Sequence, residues 1–274
     1  MVSQSACRAR SGRIGVNIGV RSLLYAMGWV CLVLVTACTT TGGHSSRDDG
    51  VRPEPFRVSV AIPEGAGPHP LVIDMHGCGG VWAQRQRHWI GHLRTAGFAV
   101  MTVDSFSGRG FDNVCDRVFA VSPYTRTFDA AAAIALAKED VRFNPQAIFL
   151  MGSSHGASSA LLLHLYDSPI FSQLRGVIAY YPYCPERLPV LNADLLLVIG
   201  SADDWTPAHL CRDMKIINRA GHSYDLVVYP DAHHSFDIPG VNSVYHGHRV
   251  LYNRTAAEDS MRRTLDFLRR RADS

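Results

Sequence analysis

Three residues far apart in the sequence, Ser154, Asp203 and His234, carry the side chains that nucleophilic catalysis requires. A serine hydroxyl is a weak nucleophile at neutral pH, so it needs an imidazole to accept its proton and a carboxylate to orient that imidazole. The chemistry of such a set is acyl transfer through a covalent acyl-enzyme. The elements around the three residues must therefore bring their side chains to one place.

Ser154 is the central residue of Gly152-Ser153-Ser154-His155-Gly156, a G-x-S-x-G pattern. The apolar residues 148–151 before it predict a buried strand, and the small residues after it predict a helix. In a strand–turn–helix of this kind the serine occupies a sharp, strained turn that exposes its hydroxyl. Glycine is required at both flanking positions because a side chain there would collide with the neighbouring strand or helix.

The carboxylate and the imidazole each have a neighbour of the same type. Asp203 follows Gly200 in a turn after a predicted strand, and we favour it over Asp204, which is placed to act as a carboxylate at a helix N-terminus. His234 lies in a loop after the last predicted strand, and we favour it over His233, which we expect to pack or to face solvent. The predicted order along the chain is serine, aspartate, histidine.

An oxyanion in the transition state requires two backbone N–H donors. One is expected from His155, the residue after the nucleophile. The other is expected from the Gly-rich segment His76-Gly77-Cys78-Gly79-Gly80, where we favour the amide of Cys78. The thiol of Cys78 is an alternative nucleophile, which its place in this loop argues against.

The hydrophobic pattern predicts an α/β fold with a mostly parallel sheet of about eight strands and helices on both faces. Each candidate residue follows a predicted strand, and ligands bind beyond the carboxyl ends of strands in such sheets. The predicted strands are 56–62, 71–75, 98–103, 148–151, 176–180, 195–199 and 225–229, the last of the chain. The predicted helices are 84–96, 127–138, 208–219 and 255–270.

The N-terminal residues 1–37 have the features of an export signal: four arginines, no acidic residue and a short apolar run. The small residues before Cys38 indicate a bacterial lipobox, in which that cysteine is lipidated. Residues 38–55 then form a flexible tether and 56–274 one catalytic domain. We therefore expect an exported protein that is held at the bacterial cell envelope by a lipid anchor. Plain secretion and an uncleaved anchor are the alternatives.

Charge and metal-ligand spacing bear on two further classes of partner. Without the four arginines of the signal, 23 basic residues face 24 acidic ones, a net charge of −1, which argues against a nucleic-acid surface. The histidines 233, 234, 246 and 248 are close in sequence and suggest zinc as an alternative. No pair has the helical i, i+4 spacing with a carboxylate, so we expect neither a metal nor a cofactor.

Five segments, HGCGG, DSF, GSSHG, GSADDW and AHHSFD, occur in this order from residue 76 to residue 237. In this order and spacing they resemble the dienelactone hydrolase family of the α/β-hydrolases, over residue 56 to the C-terminus. The chain departs from the founding members in having Ser154 where they have a cysteine nucleophile. The dienelactone substrate is therefore not carried over.

Four cysteines beyond Cys38 permit two disulfides in an oxidising compartment, and their positions alone leave three connectivities and free thiols open. The resemblance implies the family's order of strands in the sheet. That order places Cys78 beside Cys115 and Cys184 beside Cys211, so it implies these two pairs.

The expected function is a serine hydrolase of small or medium carboxylic esters. Two alternatives remain, a peptidase of the same fold and a non-catalytic binding lipoprotein. Arg109 is either a contact for a substrate carboxylate or a solvated residue, and Arg126 is expected to pair with Asp129. Aromatic residues that follow strands are candidates to line a substrate pocket: Trp82, Phe106, Tyr181 and Trp205.

Overall fold

The structure, a computed structural model, describes residues 55–272. The predicted signal peptide, the lipidation site Cys38 and the tether up to residue 54 lie outside the described residues. Within 55–272, no helix combines the length and the apolar character needed to cross a membrane.

The described chain alternates strands and helices over most of its length. The strands are β1 (Arg57–Ala61), β2 (His69–Met75), β3 (Ala99–Asp104), β4 (Phe143–Ser153), β5 (Gly176–Tyr180), β6 (Arg187–Val190), β7 (Asp194–Gly200), β8 (Lys215–Asn218), β9 (Tyr224–Tyr229), β10 (Asn242–Tyr245) and β11 (His248–Leu251). The helices are α1 (Ala83–Thr95), α2 (Pro123–Glu139), α3 (His155–Leu162), α4 (Ala208–Asp213) and α5 (Arg254–Ala272).

A seven-stranded sheet in the order β1-β3-β2-β4-β5-β7-β9 forms the centre of the described domain. The edge strand β1 pairs antiparallel with β3, and all other neighbours in this sheet are parallel. The central strands β5 and β7 are almost completely buried, as expected for a parallel sheet covered by helices on both faces. The prediction of a mostly parallel α/β sheet is confirmed, with seven strands in it.

The predicted helix 208–219 is wrong in its second half. Helix α4 ends at Asp213, and β8 follows it and pairs in parallel with β6 in a separate two-stranded sheet. Two consecutive β-branched isoleucines, Ile216 and Ile217, suit a strand better than a helix. The partner strand β6 is 25 residues or more away in sequence, so this pairing is a tertiary effect.

A second two-stranded sheet follows β9, which is therefore the last strand of the main sheet and not of the chain. Strands β10 and β11 form an antiparallel hairpin, with Tyr245 opposite His248. The two turn residues, His246 and Gly247, both have positive φ angles of 48° and 85°. This is the geometry of the tight turns that match the twist of paired strands.

Candidate active site

Ser154 lies at the turn between β4 and α3, at the carboxyl edge of the central sheet. Its φ and ψ angles are 52° and −120°, a strained combination for a residue with a side chain. The amide of Ser154 donates to the carbonyl of Tyr180 at 2.9 Å, so the turn is tied to the end of the neighbouring strand β5. The side chain is partly exposed.

The glycines on either side of the turn permit the close approach of three elements. A Cβ on Gly152 would overlap the backbone of Gly156 in α3, and a Cβ on Gly156 would overlap the backbone of Met75 in β2. Both positions therefore require glycine for the reason that the sequence suggests. The main chain can reverse direction at Ser154 because neither neighbour has a side chain.

Asp203 and His234 are brought together by the loops that follow β7 and β9. His234 Nδ1 lies 2.7 Å from Asp203 Oδ2, and the imidazole is only 2% exposed. Gly200 permits this meeting, since a Cβ there would overlap the backbone of Ala232. The pair has the arrangement that a carboxylate uses to hold an imidazole in one orientation.

The carboxylate of Asp203 is further held by Thr206 and the backbone. The amides of Trp205 and Thr206 donate to Oδ1 at 3.0 and 2.9 Å, and Thr206 Oγ1 lies 3.0 Å from Oδ2. Burial raises the pKa of Asp203, but the attraction of His234 and these hydrogen bonds outweigh it and hold the pKa below its ordinary value. Asp203 is therefore a carboxylate at neutral pH.

Thr206 was not a candidate in the sequence analysis. Its hydroxyl lies 3.0 Å from the carbonyl of Tyr181 and 3.3 Å from His234 Nδ1, so it connects the acid–base pair to the end of β5. A threonine before a proline is an ordinary signal for the start of a helix, and α4 does begin after Pro207. Nothing in that signal indicates contact with a histidine 28 residues later.

The competing residues of the same types occupy different surroundings. Asp204 is exposed, and its carboxylate lies 3.5 Å from His248 Nδ1 in the β10–β11 hairpin. His233 is partly buried, and its Nδ1 has no hydrogen-bond partner among the residues that the structure describes. Neither residue contacts the Asp203–His234 pair through a hydrogen bond.

Ser154 and His234 line one cavity of about 590 Å³ at the carboxyl edge of the sheet. The structure contains no hydrogen bond between the Ser154 hydroxyl and the imidazole. Catalytic hydrogen bonds are often long before substrate binds and shorten in the reacting complex. The cavity is thus the place where the hydroxyl, the imidazole and a substrate can meet.

The two predicted oxyanion donors flank Ser154. The loop after β2 passes beside it, since a Cβ on Gly77 would lie 3.6 Å from Ser154 Cβ, and Cys78 lines the cavity. His155 is the first residue of α3, so its N–H has no acceptor within the helix. The amide of Cys78 also donates no hydrogen bond to any residue between 55 and 272.

Three of the four predicted pocket aromatics, Trp82, Tyr181 and Trp205, line the cavity. The prediction for Phe106 is wrong. Its ring is 1% exposed and packs edge-on against His76, with the centroids 4.5 Å apart, beneath the cavity wall. An apolar ring after a strand can turn into the core as readily as into a pocket, and the loop after β3 folds over it.

Tyr245 of the β10–β11 hairpin is a lining residue that the sequence analysis missed. Its hydroxyl accepts a hydrogen bond of 2.6 Å from Asn113, which joins the hairpin to the loop between β3 and α2. Two short runs separated by His246-Gly247 carry a weak hairpin signal that would have placed Tyr245 beside a turn.

Arg85 is the only lysine or arginine among residues 55–272 that lines this cavity, and the carboxylates of Asp74 and Asp237 both act on it. Its Nη1 donates to both oxygens of Asp74, at 3.0 and 2.9 Å. Asp237 also acts on it electrostatically, and that carboxylate is held by Tyr181 and by Trp89 at 2.8 Å each. One positive and two negative charges leave no excess of positive charge in this wall.

The described domain contains two disulfides, Cys78–Cys115 and Cys184–Cys211, which are the pairs that the family resemblance implies. The first joins the predicted oxyanion loop to the segment after β3. The second joins the segment after β5 to α4. Both therefore restrain loops at the carboxyl edge of the sheet.

Among residues 55–272, no group of three or more histidine, cysteine or acidic side chains is arranged to hold a metal ion. Of the four histidines considered for zinc, His234 contacts Asp203 and His248 stacks on Trp205 with the ring centroids 4.8 Å apart. The indole of Trp205 also contacts the ring of His234, with the centroids 5.1 Å apart.

Solved structures with the same architecture are α/β-hydrolases. A Klebsiella pneumoniae protein assigned as a dienelactone hydrolase has a TM-score of 0.62 at 20% identity, over 78% of this chain and 92% of its own. The apo form of Thermogutta terrifontis esterase 2 has a TM-score of 0.56 at 17% identity, over 78% and 88%. A dienelactone hydrolase from Anabaena variabilis has a TM-score of 0.55 at 18% identity, over 79% and 92%. At these identities the likeness establishes the α/β-hydrolase fold.

The family is shown by the sequence itself. The profile of the dienelactone hydrolase family matches residues 56–272, which is most of the chain, while no curated protein matches it significantly in sequence. The chain belongs to the dienelactone hydrolase family, and it is accordingly an enzyme that hydrolyses ester bonds.

Proposed function

We propose that this protein is a serine hydrolase of small or medium, uncharged carboxylic esters that acts through an acyl-enzyme. The observation that carries the proposal is the 2.7 Å contact between His234 and Asp203 in the wall of the cavity that Ser154 lines. A buried imidazole held by a carboxylate beside a strained, accessible serine is the arrangement that activates a hydroxyl.

The hydrogen bond of His234 determines which of its ring nitrogens can act as the base. Nδ1 donates its proton to Asp203, which leaves Nε2 to accept the proton of Ser154 as the hydroxyl attacks the ester carbonyl carbon. The new C–O bond forms while the carbonyl π bond becomes an oxyanion. The oxyanion then collapses and the ester C–O bond breaks while His234 returns the proton to the leaving alcohol. Water next attacks the acyl carbon and gives a proton to His234, and the bond from the acyl carbon to Ser154 Oγ breaks as His234 returns that proton to the serine.

The charge of the cavity wall supports an uncharged substrate. Asp74 accepts two hydrogen bonds from Arg85 and Asp237 also acts on Arg85 electrostatically, so the charge of Arg85 is already balanced, although its Nε and Nη2 have no hydrogen-bond partner within residues 55–272. Arg109, the candidate for contact with a substrate carboxylate, forms a two-pronged ion pair with Asp129 at 2.6 and 2.8 Å and does not line the cavity. Burying an unpaired carboxylate is costly.

A pair of esters of equal length tests the charge preference. We expect kcat/KM for 4-nitrophenyl hexanoate to exceed that for mono-4-nitrophenyl adipate by about 10²-fold, because about 3 kcal/mol is a common cost of an unpaired buried polar group. Equal values for the two esters would reject the preference for uncharged substrates, and would leave the serine mechanism in place.

The serine mechanism itself is tested at Ser154. Ser154→Ala should lower ester hydrolysis by at least about 10⁴-fold and abolish labelling by a fluorophosphonate, since both require the attacking hydroxyl. Ser260→Ala removes a buried serine hydroxyl in α5 and is the control. Labelling of the Ser154→Ala protein would reject the assignment.

We also propose that the protein is a lipoprotein of the bacterial cell envelope, anchored through Cys38. The basic and apolar N-terminal residues support this, and so do two disulfides, which form in oxidising compartments. Incorporation of radiolabelled palmitate by the wild-type chain but not by Cys38→Ser is the expected result. Equal incorporation by both, or none, would contradict it.

A further inference from the structure

Arg126 of α2 is buried completely, and its hydrogen-bond partners are not the carboxylate that the sequence suggests. Its Nη1 lies 2.8 Å from His155 Nδ1, and its Nη2 donates to the carbonyl of His76 at 2.7 Å. Asp129, the expected partner, is held by Arg109 instead. The guanidinium therefore joins the residue after the nucleophile to the first residue of the predicted oxyanion loop.

This placement is costly for a charged group. Burial lowers the pKa of Arg126 to about 9, although Asp129 and other carboxylates act in the opposite direction. Nε has no hydrogen-bond partner within the described part of the chain, and the guanidinium carbon lies 4.9 Å above the ring of Phe106. A buried charge without a carboxylate bonded to it destabilises a fold, so a role at the site explains its presence better than stability does.

Through Nη1, Arg126 fixes the tautomer of His155. Because Nδ1 accepts from the guanidinium, the ring proton is on Nε2, which donates to the carbonyl of Val118 at 3.0 Å. Burial, and then the charge of Arg126, lower the pKa of His155 to about 3, so the imidazole is neutral at working pH. Its side chain is thus fixed at both nitrogens, and its backbone N–H is a proposed oxyanion donor.

Through Nη2, Arg126 holds the start of the loop that supplies the second donor. The amide of Ser105 donates to His76 Nε2 at 3.2 Å, so Nδ1 carries the proton and donates to the carbonyl of Gly77 at 2.7 Å. That carbonyl and the N–H of Cys78 belong to one planar trans peptide unit and point in opposite directions. Fixing Gly77 O therefore fixes the direction of the Cys78 N–H.

We propose that Arg126 is a positioning residue for the oxyanion hole. Its hydrogen bonds to the His155 ring and to the carbonyl of His76 fix the two segments that supply the backbone donors. The inference rests on the proposed serine mechanism, and Arg126 itself touches no reacting atom. It sets the distance between two backbone donors that follow different strands, Cys78 after β2 and His155 after β4. A misplacement of about 1 Å in such a site can cost about 10²-fold in rate.

The test separates transition-state stabilisation from binding and from folding. In Arg126→Met, kcat for 4-nitrophenyl butyrate should fall by about 10²-fold while KM changes by less than about twofold, because the donors act on the oxyanion and not on the bound ester. The affinity for a trifluoromethyl ketone, which forms the oxyanion on Ser154, should fall by a similar factor. Thr127→Val is the matched control, since it removes a buried α2–α3 hydrogen bond to the carbonyl of Ser159.

Three results would overturn the inference: a folded Arg126→Met protein with kcat within threefold of wild type, a loss in KM alone, or an equal loss of kcat in Thr127→Val. If Arg126→Met does not fold, His155→Gln and His155→Leu decide. The glutamine can accept from Arg126 and should retain at least tenfold more kcat than the leucine, and equal kcat values would reject the inference. A wild-type protein without fluorophosphonate labelling would instead contradict the proposed function.

Discussion

Two buried polar networks flank Ser154, and each contains an imidazole bonded to a charged side chain of a different sign. On one side His234 contacts the carboxylate of Asp203 at 2.7 Å. On the other side His155 contacts the guanidinium of Arg126 at 2.8 Å. Both imidazoles are buried; His155 follows Ser154 in the chain, and His234 lines the same cavity as Ser154. Their partners differ in the sign of their charge.

The sign of the neighbouring charge assigns each histidine its task. A carboxylate stabilises the imidazolium that forms when His234 accepts a proton, which suits a general base. A guanidinium opposes protonation, and it helps to lower the pKa of His155 to about 3 after burial has its larger effect. His155 is therefore a fixed hydrogen-bonding group. Residue type alone does not distinguish a base from a structural histidine; the partner does.

Of the changes that distinguish the two networks, removing the negative partner of His234 should have the largest effect. Asp203→Asn should lower kcat by about 10³- to 10⁴-fold at pH 7, because an amide cannot hold the reactive tautomer of His234 or stabilise its cation. Steady-state hydrolysis of 4-nitrophenyl butyrate measures this. Asp204→Asn, one residue away and exposed, is the control and should change kcat by less than about threefold. A larger loss in Asp204→Asn than in Asp203→Asn would reverse the assignment of the acid.

The two disulfides provide a matched pair of variants, because only one of them joins the oxyanion loop on the His155 side of Ser154. They span 37 and 27 residues, so the loss of either should cost about 3 to 4 kcal/mol of unfolding free energy in the chain-entropy account. Only Cys78–Cys115 restrains the oxyanion loop. Cys78→Ala/Cys115→Ala should therefore also lower kcat, by about tenfold or more, since a mispositioned donor weakens the oxyanion contact.

The matched variant is Cys184→Ala/Cys211→Ala, which should lose similar stability with kcat within about threefold of wild type. Urea unfolding and steady-state kinetics on both double variants give the two quantities. Equal effects on kcat would show that the first disulfide has no special connection to the oxyanion loop.

The smallest expected effect is a pH dependence of stability to which His155, beside Arg126, contributes and Asp203 does not. Unfolding returns His155 from a pKa of about 3 to its ordinary value of 6.5, so the unfolded chain binds more protons between these values. The unfolding free energy should therefore fall as pH drops below 6.5, by up to about 1.4 kcal/mol per pH unit. His155→Gln should have a shallower slope in urea unfolding from pH 6.5 to 4.5.

The carboxylate of Asp203 should not contribute to this slope between pH 6.5 and pH 4.5. The folded pKa of Asp203 is lowered below its ordinary value of 3.8, so its contribution is fully present above 3.8 and is lost only as pH falls through the folded value. Thr127→Val, which changes no titratable group, should keep the wild-type slope. Parallel slopes in the wild type and His155→Gln would contradict a neutral, buried His155.

Much of the fold could be predicted because its strands are short apolar runs and its nucleophile sits in a distinctive local sequence. Strand β5 occurs at the predicted residues, and the glycines around Ser154 have the steric reason that the pattern suggests. Strands β6, β8, β10 and β11 were not predicted. They are four residues each, and their stability depends on a partner strand and not on a local pattern.

Some residues of the candidate site could also be assigned from the sequence, and others could not. Ser154, Asp203 and His234 stand out because their types and order are unusual beside strand ends. Phe106 was assigned wrongly because a ring after a strand has several possible directions. Arg126 was assigned wrongly because a long guanidinium side chain on a helix can reach partners on other segments, here His155 and the carbonyl of His76. Asp129 is hydrogen-bonded to Arg109, although Arg126 is nearer to it in sequence.

By itself the sequence determined the alternation of strands and helices, the turn at Ser154 and the types of residue that could react. These depend on apolar spacing, on glycine and on side-chain chemistry, which are local properties. The tertiary structure decided which carboxylate meets which imidazole, and which histidine is kept neutral by burial and by a guanidinium beside it. Those outcomes depend on charge, burial and distances of a few ångströms between segments that are far apart in the chain.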